Sequence, residues 1–166
     1  MPNDVFRSID AVLVLGVDDV SSPEGTAADK LVGQYDLSNA VGRLRNVTVC
    51  VASDLKPFYE IGRRYPTHLR PGVINIHGTA ERAHVNGALL RLLLGDGATS
   101  PPPAPNFAQP AFNIIVTLAD PGRPGQQTRL TVFGAKFENW NYHIPTDDFV
   151  METVSFQALR VSFEES

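Results

Sequence analysis

The stretch from Asp147 to Phe163 constrains the fold more than any other part of the sequence. Apolar side chains alternate through Val154 and Phe156 and then shift by one position from Leu159, as in a β-strand interrupted by a bulge. About 17 residues at ~3.3 Å each would extend roughly 55 Å, whereas a domain of this chain length measures about 40 Å across. The ribbon must therefore either bend sharply at the bulge or reach beyond its own domain. An overhanging strand carries unpaired N–H and C=O groups, so the second alternative predicts assembly with another chain.

The two alternatives predict different behaviour for substitutions at neighbouring positions. Phe156 shares a face with Val154 and is expected in the core, so aspartate at Phe156 should abolish folding. Gln157 points to the opposite face, and in an overhanging strand its backbone N–H would pair with a neighbouring subunit. We therefore predict that proline at Gln157 mainly impairs assembly; if the strand is instead internal, the same change would unfold the monomer as badly as aspartate at Phe156.

The composition fits one domain spanning residues 1–166, with 43% apolar and 19% charged residues. The net charge of −4 argues against broad nucleic-acid binding, which usually requires a basic face. The lone Cys50 lies in an apolar run that predicts a buried strand thiol. No apolar run approaches the ~20 residues of a membrane helix, and the N-terminus lacks the features of a signal peptide. We therefore expect a soluble protein made in the cytoplasm, with no membrane partner.

Alternating and apolar runs predict a mainly β protein, a β-sandwich or barrel with one flanking α-helix and long loops. The strands are expected near residues 9–15, 46–53, 73–77, 112–118, 127–133 and 137–144 and in the C-terminal ribbon. A helix over about residues 80–94 is indicated by the helical spacing of Val85, Ala88, Leu89, Leu92 and Leu93, and Gly95 should end it.

Two long loops are also expected. Residues 100–110 are rich in proline, which excludes a helix or a central strand. Residues 18–44 are polar and contain several glycines, so we predict a loop that is mobile in the free protein and ordered in an assembly. Leu31, Val32 and Tyr35 are its expected contacts with a neighbouring subunit.

A search for catalytic, cofactor-binding or metal-binding residues finds none that form a recognisable set. The four histidines lack the spacing of metal ligands, and no nucleophile is accompanied by a base. Trp140 and Tyr142 share one strand parity and suggest an alternative function, a lectin-like β-sandwich that stacks sugars, although aromatic residues in that pattern are more often core residues. We predict that the protein is not an enzyme.

Residues 78–82 read G-T-A-E-R and lie at the start of the predicted helix. This segment resembles one found in phage tail tube proteins, the family that forms the tubes of phage tails and contractile injection systems. A second stretch, residues 148–161, reads D-F-V-M-E-T-V-S-F-Q-A-L-R-V and is similar to their closing strand. Residues 134–137, G-A-K-F, are also similar to them. Through this resemblance, Glu81 and Arg82 become residues of interest.

The resemblance implies a structural role in the tail of a virion. Six subunits would form a ring in which sheets join edge to edge into an inner barrel, and rings would stack into a hollow tube for genome delivery. The expected partners are further copies of the chain and a tail sheath or other tail proteins. DNA would meet the protein only in passage through the lumen, and no cofactor or metal is implied.

Overall fold

The computed structural model of the chain describes residues 5–98, 108–123 and 125–165. Most of the predicted proline-rich loop, residues 100–107, lies outside the described residues. In the described part, the structure contains nine strands and two α-helices. The strands are β1 (Ala11–Gly16), β2 (Leu44–Ser53), β3 (Lys56–Phe58), β4 (His68–Arg70), β5 (Ile74–Ala83), β6 (Phe112–Ala119), β7 (Gln127–His143), β8 (Met151–Ala158) and β9 (Arg160–Glu165). The helices are α1 (Pro23–Gln34) and α2 (Ala88–Leu94).

Seven of these strands form one curled antiparallel sheet, and the 17-residue strand β7 runs through both halves of it. The first half of β7 pairs with β6 and β9, and β6 pairs with β1; we call this half sheet A. The second half of β7 pairs with β8, which pairs with β5, which pairs with β2; we call this half sheet B. The predicted fold class, mainly β with a barrel-like sheet and a flanking helix, is confirmed.

The core lies between the two sheets and the helices. Sheet A contributes side chains such as Ile114 and Val132, and sheet B contributes Val154 and Phe156, all of them buried. Helix α2 packs against β7 and buries Leu92. Burying an aliphatic or aromatic side chain stabilises a fold by about 1.5–3 kcal/mol, so these contacts hold sheet A and sheet B together.

The C-terminal ribbon bends and does not overhang. Strand β8 ends at Ala158, β9 begins at Arg160, and the N–H of Leu159 between them donates to the carbonyl of Phe133. Opposite this corner Gly134 has φ 65°, a conformation that a side chain disfavours. The predicted irregularity is therefore confirmed, but β8 lies between β5 and β7, and the prediction of an overhanging β8 edge is wrong.

The predicted loop over residues 18–44 is wrong, because it contains helix α1. Ser22 caps the helix by accepting the N–H of Gly25, and Pro23 occupies the first turn, where its missing N–H costs nothing. Leu31 and Val32 are buried in the chain's own core and are not available to a neighbouring subunit. Two glycines weaken the helical propensity of this segment, which is why its sequence is typical of a loop.

Helix α2 is shorter than predicted. Residues 80–83 belong to strand β5, and the helix begins at Ala88, whose N–H donates to the side chain of Asn86. The predicted end at Gly95 is confirmed. Strand β5 continues to Ala83 because it is paired on both sides, with β2 and β8, and the helical spacing begins only at Val85, beyond these ladders.

Candidate assembly surface

A long hairpin projects from one end of sheet B. It joins the end of β2 to the start of β5, consists of residues 54–73, and contains β3 and β4, which pair with each other; we call it the arm. Seven large apolar side chains of the arm are exposed, namely Leu55, Phe58, Tyr59, Ile61, Tyr65, Leu69 and Val73. Exposed apolar side chains concentrated in one segment often mark an interaction site.

The arm is basic although the protein is acidic. It carries four cations and two carboxylates, a net charge of +2. Because the whole chain has a net charge of −4, the remaining residues carry a net charge of −6. Both carboxylates of the arm form exposed ion pairs: Asp54 lies 3.2 Å from Lys56, and Glu60 lies 3.7 Å from Arg63. The remaining cations, Arg64 and Arg70, are exposed, and no ion pair within the described residues involves them. The arm therefore offers both apolar contact and positive charge to a partner.

Sheet B has two open edges. Strand β2 pairs only with β5, and the second half of β7 pairs only with β8 among the described strands. Near the start of that half, the carbonyl of Phe137 accepts a hydrogen bond from Gln109, which leaves residues 138–143 as the open part of the edge. Because the four strands alternate in direction, β2 and β7 run in opposite directions. Identical copies placed side by side would bring these two edges together as an antiparallel pair.

The surface of sheet B that points away from the core is polar and weakly charged; we call it the polar face. The strand register places three rows of side chains on it: Asn46, Glu81, Thr153 and Asn141; Thr48, Thr79, Ser155 and Asn139; and Cys50, His77, Gln157 and Lys136. Of these twelve, only Glu81 and Lys136 are always charged near neutral pH. Asn46 donates to Glu81, and Gln157 donates to the neighbouring Glu138. Such a surface is suited to facing water.

Cys50 is exposed on the polar face, so the predicted buried thiol is wrong. Its neighbours Val49 and Val51 point to the opposite side of β2, as alternation requires. The apolar run around Cys50 reflects an edge strand with one apolar side. The sequence could not show which residues of this run lie on that side.

The residues highlighted by the G-T-A-E-R motif have separate roles. Glu81 lies on the polar face, whereas Arg82 is 3% exposed and donates from Nε to Glu152, itself 1% exposed, at 2.8 Å. The second carboxylate oxygen of Glu152 accepts the indole N–H of Trp140 at 3.1 Å, and Nδ1 of His84 lies 3.4 Å from it. The motif therefore supplies one half of a buried ion pair.

Gly78 of the same motif is required by close packing. A Cβ at this position would lie 2.1 Å from the backbone oxygen of Thr48 on β2 and 2.6 Å from the ring of Phe156 on β8. Contacts this short are not tolerated in a packed core. Glycine lets the Phe156 ring cover the backbone of β5.

The aromatic pair of the lectin-like alternative is engaged within the protein. The rings of Trp140 and Tyr142 stack on each other with centroids 5.2 Å apart, and the edge of His84 meets Tyr142 at 4.9 Å. The indole N–H, which would orient a sugar, is bonded to Glu152. Tyr142 is 42% exposed, but the indole N–H of Trp140 is not free to orient a sugar.

Within the described residues, no group of three or more His, Cys, Asp or Glu side chains is arranged to hold a metal ion. None of the described helices has both the length and the apolar character needed to span a membrane.

Solved structures with the same architecture come from tube-forming assemblies. A chain of the sheath–tube complex of an extracellular contractile injection system (PVC) superposes with a TM-score of 0.63 at 11% identity, covering 99% of this chain and 94% of that chain. The SPP1 tail tube gives 0.63 at 9% identity, covering 98% and 80%. The fold is the one found in tail tubes. The tube-terminating cap of the anti-feeding prophage has it too, with a TM-score of 0.65 at 9% identity over 100% and 95%.

The tail tube fold extends over nearly the whole chain, so the resemblance noted in the sequence is confirmed at the level of structure. No family model matches the chain, and no curated protein matches it. The free edges, the arm and the polar face were not predicted residue by residue. Only the pairing of strands distant in sequence reveals them.

Proposed function

We propose that this chain is a structural protomer of the tube of a phage tail or a related contractile injection device. Six copies form a ring, rings stack into a hollow tube within the virion tail, and the tube is the channel for genome delivery. The observation that carries the proposal is sheet B, a four-stranded sheet with two open edges of opposite direction and a polar outer face. The chain acts through its interfaces and is not an enzyme.

Sheet B supplies what a closed ring requires. Each copy adds four alternating strands, so joining β7 of one copy to β2 of the next keeps the whole barrel antiparallel, and closure removes every open edge. With six copies the barrel has roughly twenty-four strands, a size that leaves an aqueous channel. Sheet A and the helices pack on the core side of sheet B, although Val47 and Val51 of the edge strand β2 are exposed on that side, so the polar face lines the channel. A weakly charged lining neither holds nor strongly repels passing DNA.

The remaining surfaces fit the same arrangement. The arm lies at one end of sheet B, between the end of β2 and the start of β5. The outer side of sheet A faces away from the channel, where a tail sheath or other tail proteins would bind.

Electron microscopy of the purified protein at high concentration tests this proposal directly. We expect rings with a central hole, which stack into tubes, and sedimentation of the same sample as large particles. The lectin-like alternative predicts a monomer or small oligomer that binds glycans. A strict monomer at millimolar concentration, together with the absence of this chain from tubes in purified particles, would contradict the proposal.

The position of the polar face gives a second prediction that uses the single cysteine. A maleimide carrying a bulky polymer should label Cys50 readily in the free protomer and poorly in intact tubes, because the reagent reaches the channel only through the tube ends. A matched control carries Cys50→Ser and Arg129→Cys, which places the thiol on the exposed outer side of sheet A. The control should be labelled in both states. Equal labelling of Cys50 in protomers and tubes would show that another face lines the channel.

A further inference from the structure

The core side of sheet A carries a row of apolar side chains that the core covers only in part. The strand register places Leu13, Val116 and Leu130 side by side in this row, and all three are half-buried. In the next row, Ile114 and Val132 lie side by side and are 4% and 0% exposed. Sheet A and sheet B therefore separate towards the first row and leave apolar surface uncovered between them.

A cleft of about 540 Å³ opens where the two sheets separate. Sheet A lines one side of it with Leu13, Val116 and Leu130, and β2 lines the other with Val47 and Val49. These walls are aliphatic, and no aromatic side chain lines the cleft within the described residues. A volume of this size with an apolar lining is typical of sites that hold a small molecule. Aliphatic walls suit an alkyl chain better than an aromatic ring, which gains from a stacking partner.

Two unpaired arginines stand at the mouth of the cleft. Arg43 and Arg45 line it and are exposed, and neither guanidinium forms an ion pair or a side-chain hydrogen bond within the described residues. Asp148 lines a neighbouring cleft with the same two arginines, but no described carboxylate lines this one. The carbonyl of Arg43 accepts the N–H of Ala83, and its φ is 65°, a strained conformation that often occurs at functional sites. Free positive charge beside an apolar cleft is complementary to an anion that carries an apolar tail.

We propose that this cleft binds a small amphiphile with one alkyl chain and one anionic head, such as a fatty acid. The alkyl chain lies along the aliphatic walls, and the carboxylate faces Arg43 and Arg45. Charge-assisted hydrogen bonds from the guanidinium groups hold the head, and removal of the alkyl chain from water supplies most of the affinity. This binding site goes beyond the proposed tube function and does not depend on it.

Calorimetric titration of the dilute native chain with decanoate, below the concentration at which micelles form, tests this proposal. We expect saturable binding of a single decanoate per chain. Decanoate should bind roughly tenfold more tightly than octanoate, because two more methylene groups leave water. Decanol has no charge and should bind roughly tenfold more weakly than decanoate, and the cation decyltrimethylammonium should bind more weakly still. Absence of saturable binding, or equal affinity for the three head groups, would overturn the proposal.

Removal of the two charges tests the position of the head group. The double variant Arg43→Gln with Arg45→Gln should bind decanoate roughly tenfold more weakly and should bind decanol as the native chain does. The matched control, Arg64→Gln with Arg70→Gln, removes two cations of the arm and should bind both ligands as the native chain does. All four side chains are exposed, so thermal unfolding should be unchanged. Equal weakening in the two double variants would show that net charge alone attracts decanoate, against the proposed site.

A larger side chain inside the cleft tests the position of the alkyl chain. Val116→Phe fills part of the cleft and should weaken the binding of decanoate and decanol by roughly tenfold or more. Thr117→Phe places the same ring on the outer side of β6 and should bind both ligands as the native chain does. Circular dichroism checks that both variants are folded. Undiminished binding by Val116→Phe would overturn the proposal.

The same variants distinguish a ligand from a neighbouring subunit as the occupant of the cleft. If the native chain binds no decanoate and Val116→Phe prevents ring formation, a second copy fills the cleft. That result would overturn the proposed ligand site and leave the tube proposal standing. Conversely, binding of decanoate by a native chain that forms no rings would contradict the tube proposal and support the ligand site.

Discussion

Replacing Glu152 with alanine should lower the free energy of unfolding by about 3–5 kcal/mol. The carboxylate is 1% exposed, and its loss leaves the buried guanidinium of Arg82 without an opposite charge, although Nη2 still donates to Asn86. The indole N–H of Trp140 also loses its acceptor. An unpaired buried charge costs far more than an exposed ion pair contributes, and the total stability of a domain is only about 5–15 kcal/mol. Denaturant unfolding followed by circular dichroism measures the change.

Two further variants separate this mechanism from a general sensitivity to substitution. Glu164→Ala removes an exposed carboxylate on β9 and should change stability by less than about 0.5 kcal/mol. The double variant Arg82→Met with Glu152→Leu replaces the pair by apolar side chains of similar size and should recover most of the loss. An effect of Glu152→Ala below about 1 kcal/mol would indicate that water or another group satisfies Arg82.

Proline at Gln157 should unfold the protomer about as completely as aspartate at Phe156. Gln157 lies opposite His77 of β5 and Lys136 of β7, so its backbone is flanked by a strand on each side. Proline removes the N–H and leaves a facing carbonyl unsatisfied, which costs about 1–3 kcal/mol. The steric clash between the proline ring and the neighbouring strand adds to this cost. Phe156 is 1% exposed, and a charge there is buried without a partner.

Circular dichroism and size-exclusion chromatography distinguish the outcomes at Gln157. Gln157→Ala is the matched control and should remain folded, because it keeps the backbone N–H and its side chain is exposed. A folded Gln157→Pro that fails to assemble would mean that β8 is an edge strand in solution, against the pairing described above.

Most strands and α2 could be predicted from the sequence because their patterns are local, but β3 and β4 were not predicted, and the two strands expected over residues 127–133 and 137–144 are the single strand β7. Alternation in β8 reflects one face packed on the core, and the apolar spacing of α2 reflects its contact with β7. Helix α1 was missed because its glycines lower its intrinsic propensity and its stability comes from burial of Leu31 and Val32. Tertiary packing of this kind leaves only a weak trace in a single sequence.

The candidate surfaces depend on contacts that span large distances along the chain. Arg82 and Glu152 are 70 residues apart, so no spacing rule could pair them. The exposure of Cys50 depends on β2 being at the edge of the sheet, which is a property of the topology. The resemblance to tail tube proteins did locate one partner of the ion pair, since Arg82 belongs to the G-T-A-E-R motif.

Strand β7 has a mechanical consequence for a tube built from this fold. Its 17 residues form part of sheet A and then part of sheet B without leaving the ladder. A load applied to the outside of the tube, such as the pull of a contracting sleeve, would reach the channel wall along covalent backbone and not through side-chain packing alone. The wall would then twist together with the exterior as one stiff layer, and its bore would be maintained while cargo moves through it.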